Sequence, residues 1–165
     1  MRTRTIGIVA VVAAAVLALG AAAAMAGRSS VGTQLNGFKE APVISTDGEG
    51  SFRAEIRAGE VHYRLRYDDL EGGEVLFAHI HLGKPLTNGG VVAFLCGGGS
   101  KPACPASGTV TGVIVPSDVV GPADQGIEPG EFDELVRAIR RNATYVNVHT
   151  EDFPSGEIRG NLIRS

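Results

Sequence analysis

Alternation of apolar and polar side chains dominates this chain. From Ser51 to Arg57, Phe52, Ala54 and Ile56 fall on one face and Arg53, Glu55 and Arg57 on the other. A repeat of two is what a half-buried β-strand requires. Val61 to Tyr67 repeats the pattern, with Val61, Tyr63, Leu65 and Tyr67 set against His62, Arg64 and Arg66. The short Ala58-Gly59-Glu60 link between the two runs predicts a hairpin. Sharing a face with two arginines places His62 in solvent and outside any site. In Leu76 to Leu82 both faces are bulky: Leu76, Ala78, Ile80 and Leu82 on one, Phe77, His79 and His81 on the other. That pattern predicts a central strand covered on both sides. Thr33–Phe38, Val91–Leu95 and the β-branched run Thr109–Val115 read as further strands.

The stretch Tyr145–Leu162, YVNVHTEDFPSGEIRGNL, reads as two strands joined by a turn at Pro154-Ser155-Gly156. Val146 and Val148 oppose Tyr145, Asn147 and His149; Ile158, Gly160 and Leu162 oppose Glu157, Arg159 and Asn161. The two charges on that last face predict cross-strand ion pairs. The repeat changes once, where Phe132, Leu135, Val136 and Ile139 follow the spacing of an amphipathic helix over about 129–141. Pro129 and the acidic residues Glu131, Asp133 and Glu134 suit its start. Short strands, frequent Gly and Pro turns and one helical excursion predict an all-β domain, an antiparallel Greek-key, immunoglobulin-like β-sandwich. The chain has no Trp, so Val, Ile, Leu and Ala must supply most of its core.

The first 26 residues belong to a different pattern. Arg2 and Arg4 precede an apolar, alanine-rich run, and Ala24-Met25-Ala26 has the spacing of a signal-peptidase site. This predicts a signal peptide over 1–26, a flexible leader over 27–32 and one domain over 33–165. The chain is then secreted, periplasmic or held at the cell envelope, and meets a membrane only through the signal segment if that stays uncleaved. Loss of Arg2 and Arg4 takes the formal charge from −3 to −5. With no basic tract left, nucleic-acid binding is excluded. Cys96 and Cys104, the only cysteines, flank a glycine-rich loop and in an exported chain predict a disulfide.

No catalytic signature emerges. The chain lacks a G-x-S-x-G elbow, and Gly97-Gly98-Gly99 sits in the cysteine loop, the wrong context for a phosphate cradle. His79 and His81 share a strand face, and His149 lies in the closing motif. Together they are a candidate site for copper or zinc, because neutral imidazole suits both metals. A His-x-His on a sheet builds several such sites, including those of the copper/zinc superoxide dismutases. The alternative is architectural: each ring bonds a backbone carbonyl, or the side chains of Asn147, Glu157 or Asn161.

AHIHLGKPLTNGGVV and YVNVHTEDFPSGEIRGNL together resemble the CHRD domain, a module first described in the secreted protein chordin and also found in secreted bacterial proteins. The resemblance covers roughly Thr33 to Ile163. The family often carries a further glycine in the loop after HIHxG, near the place where this chain has Leu86. The resemblance implies an extracytoplasmic β-sandwich-like domain. It points to an exported, non-enzymatic binding or structural module for an extracytoplasmic protein or small ligand. The rival reading is a metal-binding, redox-related protein using His79, His81 and His149.

Overall fold

The computed structural model describes residues 29–164, so the expected signal peptide lies outside the described residues. Nine strands follow one another: β1 (Ser29–Asn36), β2 (Glu49–Arg57), β3 (Glu60–Asp68), β4 (Val75–Leu82), β5 (Val91–Cys96), β6 (Gly108–Ile114), β7 (Thr144–Thr150), β8 (Ile158–Asn161) and β9 (Ile163–Arg164). Among the described residues one α-helix, α1 (Phe132–Arg140), precedes β7. Its buried residues are Phe132, Leu135, Val136 and Ile139, the stripe expected from the spacing.

Residues 29–32, expected as part of a flexible leader, are strand. Ser29 to Gly32 pair with Ile56 to Arg53 of β2, and Val31 lies in the core. Small polar residues read as a linker in isolation. Here the β2 edge offers their backbone groups a ladder, and such groups seldom stay unpaired when buried. Thr33–Phe38, expected as the first strand, therefore divides: β1 ends at Asn36, and Gly37–Lys39 form a 3-10 turn.

All pairings are antiparallel, and the strands run β5-β4-β7-β8-β1-β2-β3-β6, with β9 added beside β1. The all-β class with one helix is as expected. The strands do not divide into the two separately hydrogen-bonded sheets of a Greek-key, immunoglobulin-like sandwich; they form one sheet curled into a nearly closed barrel. Its edge strands β5 and β6 touch. The Tyr63 hydroxyl donates to the Leu95 carbonyl at 2.7 Å, tying β3 to β5 across the interior. The join between β8 and β1 is narrow, a single pair, Asn36 with Arg159. Inside lie Phe52, Leu65, Ile80, Val146, Val148 and Ile158, with α1 in the same core.

Cys96 and Cys104 form the expected disulfide. The loop they close is fastened by Lys101, which pairs with Asp118 at 2.8 Å and donates to the Val113 carbonyl at 2.7 Å.

The outer face of β4, β7 and β8 explains why the alternation there has no polar, exposed side. Every residue of β7 is buried, because loops cover the face that would otherwise meet solvent. Two fully buried charges hold those loops, and neither makes an ion pair among the described residues, contrary to the cross-strand pairing expected. The Glu157 carboxylate accepts from the Thr46 hydroxyl and the Glu71 amide, both at 2.7 Å, the Thr150 hydroxyl at 2.8 Å and the Gly72 amide at 3.1 Å. The Arg159 guanidinium donates to the carbonyls of Thr87 at 2.7 Å and Lys84 at 3.0 Å, and lies 3.4 Å above the Tyr145 ring. Charge-assisted bonds to backbone do the work that an opposite charge would do elsewhere.

Replacing Glu157 with Ala leaves four donors without their acceptor, those of Gly72 and Thr150 fully buried and those of Thr46 and Glu71 partly so. Each stranded group costs about 1–3 kcal/mol, so we expect Glu157→Ala to lose about 3 kcal/mol or more of stability. Urea unfolding of parent and variant measures this; a loss under about 1 kcal/mol contradicts the anchoring role.

Candidate functional site

β4 and β7 are neighbours, in a register that sets His79 opposite Asn147, His81 opposite Tyr145 and Phe77 opposite His149. Side chains at alternate positions share a face, so His79, His81, Tyr145, Asn147 and His149 all stand on the outer face of the sheet, under the loops. The three candidate histidines are brought together. Each is buried, and one ring nitrogen from each lies within 4.8 Å of one from each of the others. His62, placed outside the site by its pattern, lies elsewhere in β3 and pairs with Glu60.

Two of the rings are fixed by backbone carbonyls. His81 donates from Nδ1 to the Gly89 carbonyl and His149 from Nδ1 to the Pro154 carbonyl, each at 2.9 Å. A ring whose Nδ1 carries the proton presents an unprotonated Nε2. His81 Nε2 is buried and has no hydrogen-bond partner among the described residues. His149 Nε2 lies 3.1 Å from His79 Nδ1 and 3.0 Å from Asn147 Oδ1. His79 has no carbonyl partner among the described residues and is held by aromatic rings. Phe94 meets it edge-on at 4.6 Å between centroids, and Phe77 stacks on it at 5.6 Å. His81 stacks on Tyr145 at 4.8 Å, and Tyr145 carries Arg159 on its ring. The set thus combines the two arrangements expected as alternatives: carbonyl-bonded rings, and nitrogens that face one another.

The loop geometry that supplies the carbonyls depends on particular backbone shapes. A side chain on Gly89 would collide with the Leu82 carbonyl. Gly156 has φ +123, and a Cβ there would run into the Glu40 carboxyl. Leu86 adopts φ 64 at an exposed loop tip, a conformation that glycine takes without cost. The 83–90 loop is tied down by Lys84, which donates to the Arg141 and Asn142 carbonyls after α1, and by Arg159 beneath it, which donates to the Lys84 and Thr87 carbonyls.

Glu40 is the buried group that the sequence pattern does not reveal, since Gly37–Pro42 carries no periodicity. Burial pushes its pKa up to about 7, against the pull of Arg159 and the Ala41 amide. Its Oε1 lacks a hydrogen bond of ordinary geometry, but the Asn147 amide faces it closely enough to favour its charge. Burial also keeps the histidines neutral. It lowers His79 to about 3, with His149 and His81 adding to the effect. It lowers His81 to about 4 against the Gly89 carbonyl, and lowers His149 against the Pro154 carbonyl. Three neutral imidazoles can accept a proton or hold a metal ion, and no positive charge on the rings repels one.

These shifts fix a pH dependence for chelator-treated protein. Stability rises with pH wherever the unfolded chain binds more protons than the folded one. All three histidines take up protons near pH 6.5 when unfolded; folded, His79 does so only near 3 and His81 near 4, and burial lowers His149 too, so their contribution is complete above about 6.5 and is lost as pH falls. Glu40 has the opposite sign: it stabilises below about 4.5 and loses that contribution as pH rises to about 7. Three groups outweigh one, so the urea midpoint should drop between pH 6.5 and 4.5, and Glu40→Gln should steepen the drop. A flat profile over that range contradicts buried neutral rings.

No curated protein matches the chain. The family model of the CHRD domain matches residues 31–162. The match takes in the His-x-His strand, the disulfide loop, α1 and the closing hairpin, so the chain belongs to the CHRD domain family.

Proposed function

We propose that this chain is an exported, non-enzymatic CHRD-domain binding module whose ligand is a zinc or copper ion held by His79, His81 and His149. The observation that carries this reading is the convergence of one nitrogen from each buried ring within 4.8 Å. Metal–nitrogen bonds of about 2.0–2.1 Å at tetrahedral angles put ligand nitrogens roughly 3.3 Å apart. His79 Nδ1 and His149 Nε2 stand at 3.1 Å, so that edge of the polyhedron needs almost no adjustment. The carbonyls of Gly89 and Pro154 do for His81 and His149 what outer-shell partners do in metal centres, fixing the tautomer and aiming Nε2.

Export is supported by the pattern of residues 1–26 and by the disulfide, since such bridges persist in oxidising compartments. The rings' lowered pKa values mean that at neutral pH they offer lone pairs without first giving up a charge.

Protein recovered from the periplasm or medium should carry close to one equivalent of zinc or copper by elemental analysis, or take it up on dialysis against either ion. A His79→Ala/His81→Ala double variant that keeps its circular dichroism should hold none. A parent protein that binds neither ion returns the histidines to a purely architectural role. The intact mass of the same material should start at Gly27; a chain beginning at Met1 contradicts cleavage.

A further inference from the structure

The polar atoms around the three rings can be counted by what each offers. His81 and His149 have both committed their Nδ1 protons to carbonyls, so their Nε2 atoms present only lone pairs. Asn147 stands between them on β7. Its Oδ1 lies 3.0 Å from His149 Nε2, and its side chain also reaches toward His81, favouring that ring's protonated form. Its amide nitrogen points the other way, to the space beneath Gly156 where the Glu40 Oε1 sits. Four atoms are therefore in question: His79 Nδ1, His149 Nε2 and Asn147 Oδ1, joined through His149 Nε2, and the buried His81 Nε2, on a ring with a nitrogen within 4.8 Å of one from each of the other two rings. Three of them are acceptors, and one proton, on His79 Nδ1, is the donor they share. Buried acceptors without donors are costly. His81 Nε2 is the one left without a partner.

A single cation resolves that imbalance, because it accepts a lone pair from all four atoms at once. Resting on the three-histidine reading, we infer that Asn147 supplies the fourth ligand through Oδ1, making an N3O centre, and that Glu40 holds the amide in the orientation that points this oxygen inward. On binding, the His79 proton moves from Nδ1 to Nε2 and the ring stays neutral. Asparagine rather than leucine or threonine at this buried β7 position is then a ligand choice and not a packing choice. Gly156 is required because a Cβ there would separate Glu40 from Asn147.

Cobalt(II) added to metal-free protein tests this, since its visible absorption reports the ligand set and its titration reports affinity. We expect Asn147→Ala to weaken cobalt binding by about 10–100-fold and to change the absorption band. Asn147→Asp, close in shape to the parent side chain, should bind cobalt at least as tightly as the parent and shift the absorption band, since a carboxylate oxygen then replaces the amide oxygen as ligand. It also supplies the reading if the alanine variant does not fold. Glu40→Leu should weaken binding as well, with the parent band kept in the bound form. If Asn147→Ala and Asn147→Asp both match the parent in affinity and spectrum while His149→Ala loses cobalt, the asparagine is not a ligand and the three-histidine site stands. If the parent itself gives no cobalt band and no saturable binding, the metal reading fails together with this one.

Discussion

The fold depends on a burial problem that its own sequence creates. β7 is apolar on the barrel side and polar on the other, yet all of it is withdrawn from water. Thr150, Asn147, His149 and the neighbouring Glu157 and Arg159 can be buried only if each finds partners. The loops supply them. Glu157 gathers the Thr46 hydroxyl and the 71–72 backbone, Arg159 gathers the 84–87 backbone, and His81 and His149 take the carbonyls of Gly89 and Pro154. The loop layer and the polar strand face therefore specify each other.

Most of the strands were legible because their alternation reports directly on one-sided burial. The hairpin of β2 and β3, with Phe52, Leu65 and Tyr67 inside, appears as expected. So does α1, whose stripe Phe132–Leu135–Val136–Ile139 needs only its spacing to be read. Legibility fails where partners are distant in sequence. Nothing local distinguishes a curled single sheet from two stacked ones. That depends on whether β8 finds β1, residues separated by most of the chain and joined through one pair. Ser29–Gly32 reads as linker for the same reason, since its ladder partner lies at Arg53–Ile56.

The histidine site was half legible. Parity put His79 and His81 on one face, and the register of β4 on β7 brings His149 to them through its place opposite Phe77. Glu40 was invisible, as it comes from an irregular segment whose burial is decided by what folds over it. The ionic pairing expected of Glu157 and Arg159 failed for a related reason. A charge two residues from another on a strand suggests a charged neighbour, whereas here backbone amides and carbonyls were the nearer and more numerous partners.

The position of β9 has a consequence for how this domain can be built into larger assemblies. Val31 pairs with Arg164 and Gly32 with Ile163, so the first and last strands of the described fold run side by side at one edge of β1. The two ends of the described fold therefore lie close together. Neighbouring sequence on either side, or on both, would hold the domain by a single point of suspension. The module could then hang from an anchor, or be spliced into a surface turn of another protein, while its histidine face kept the same outlook.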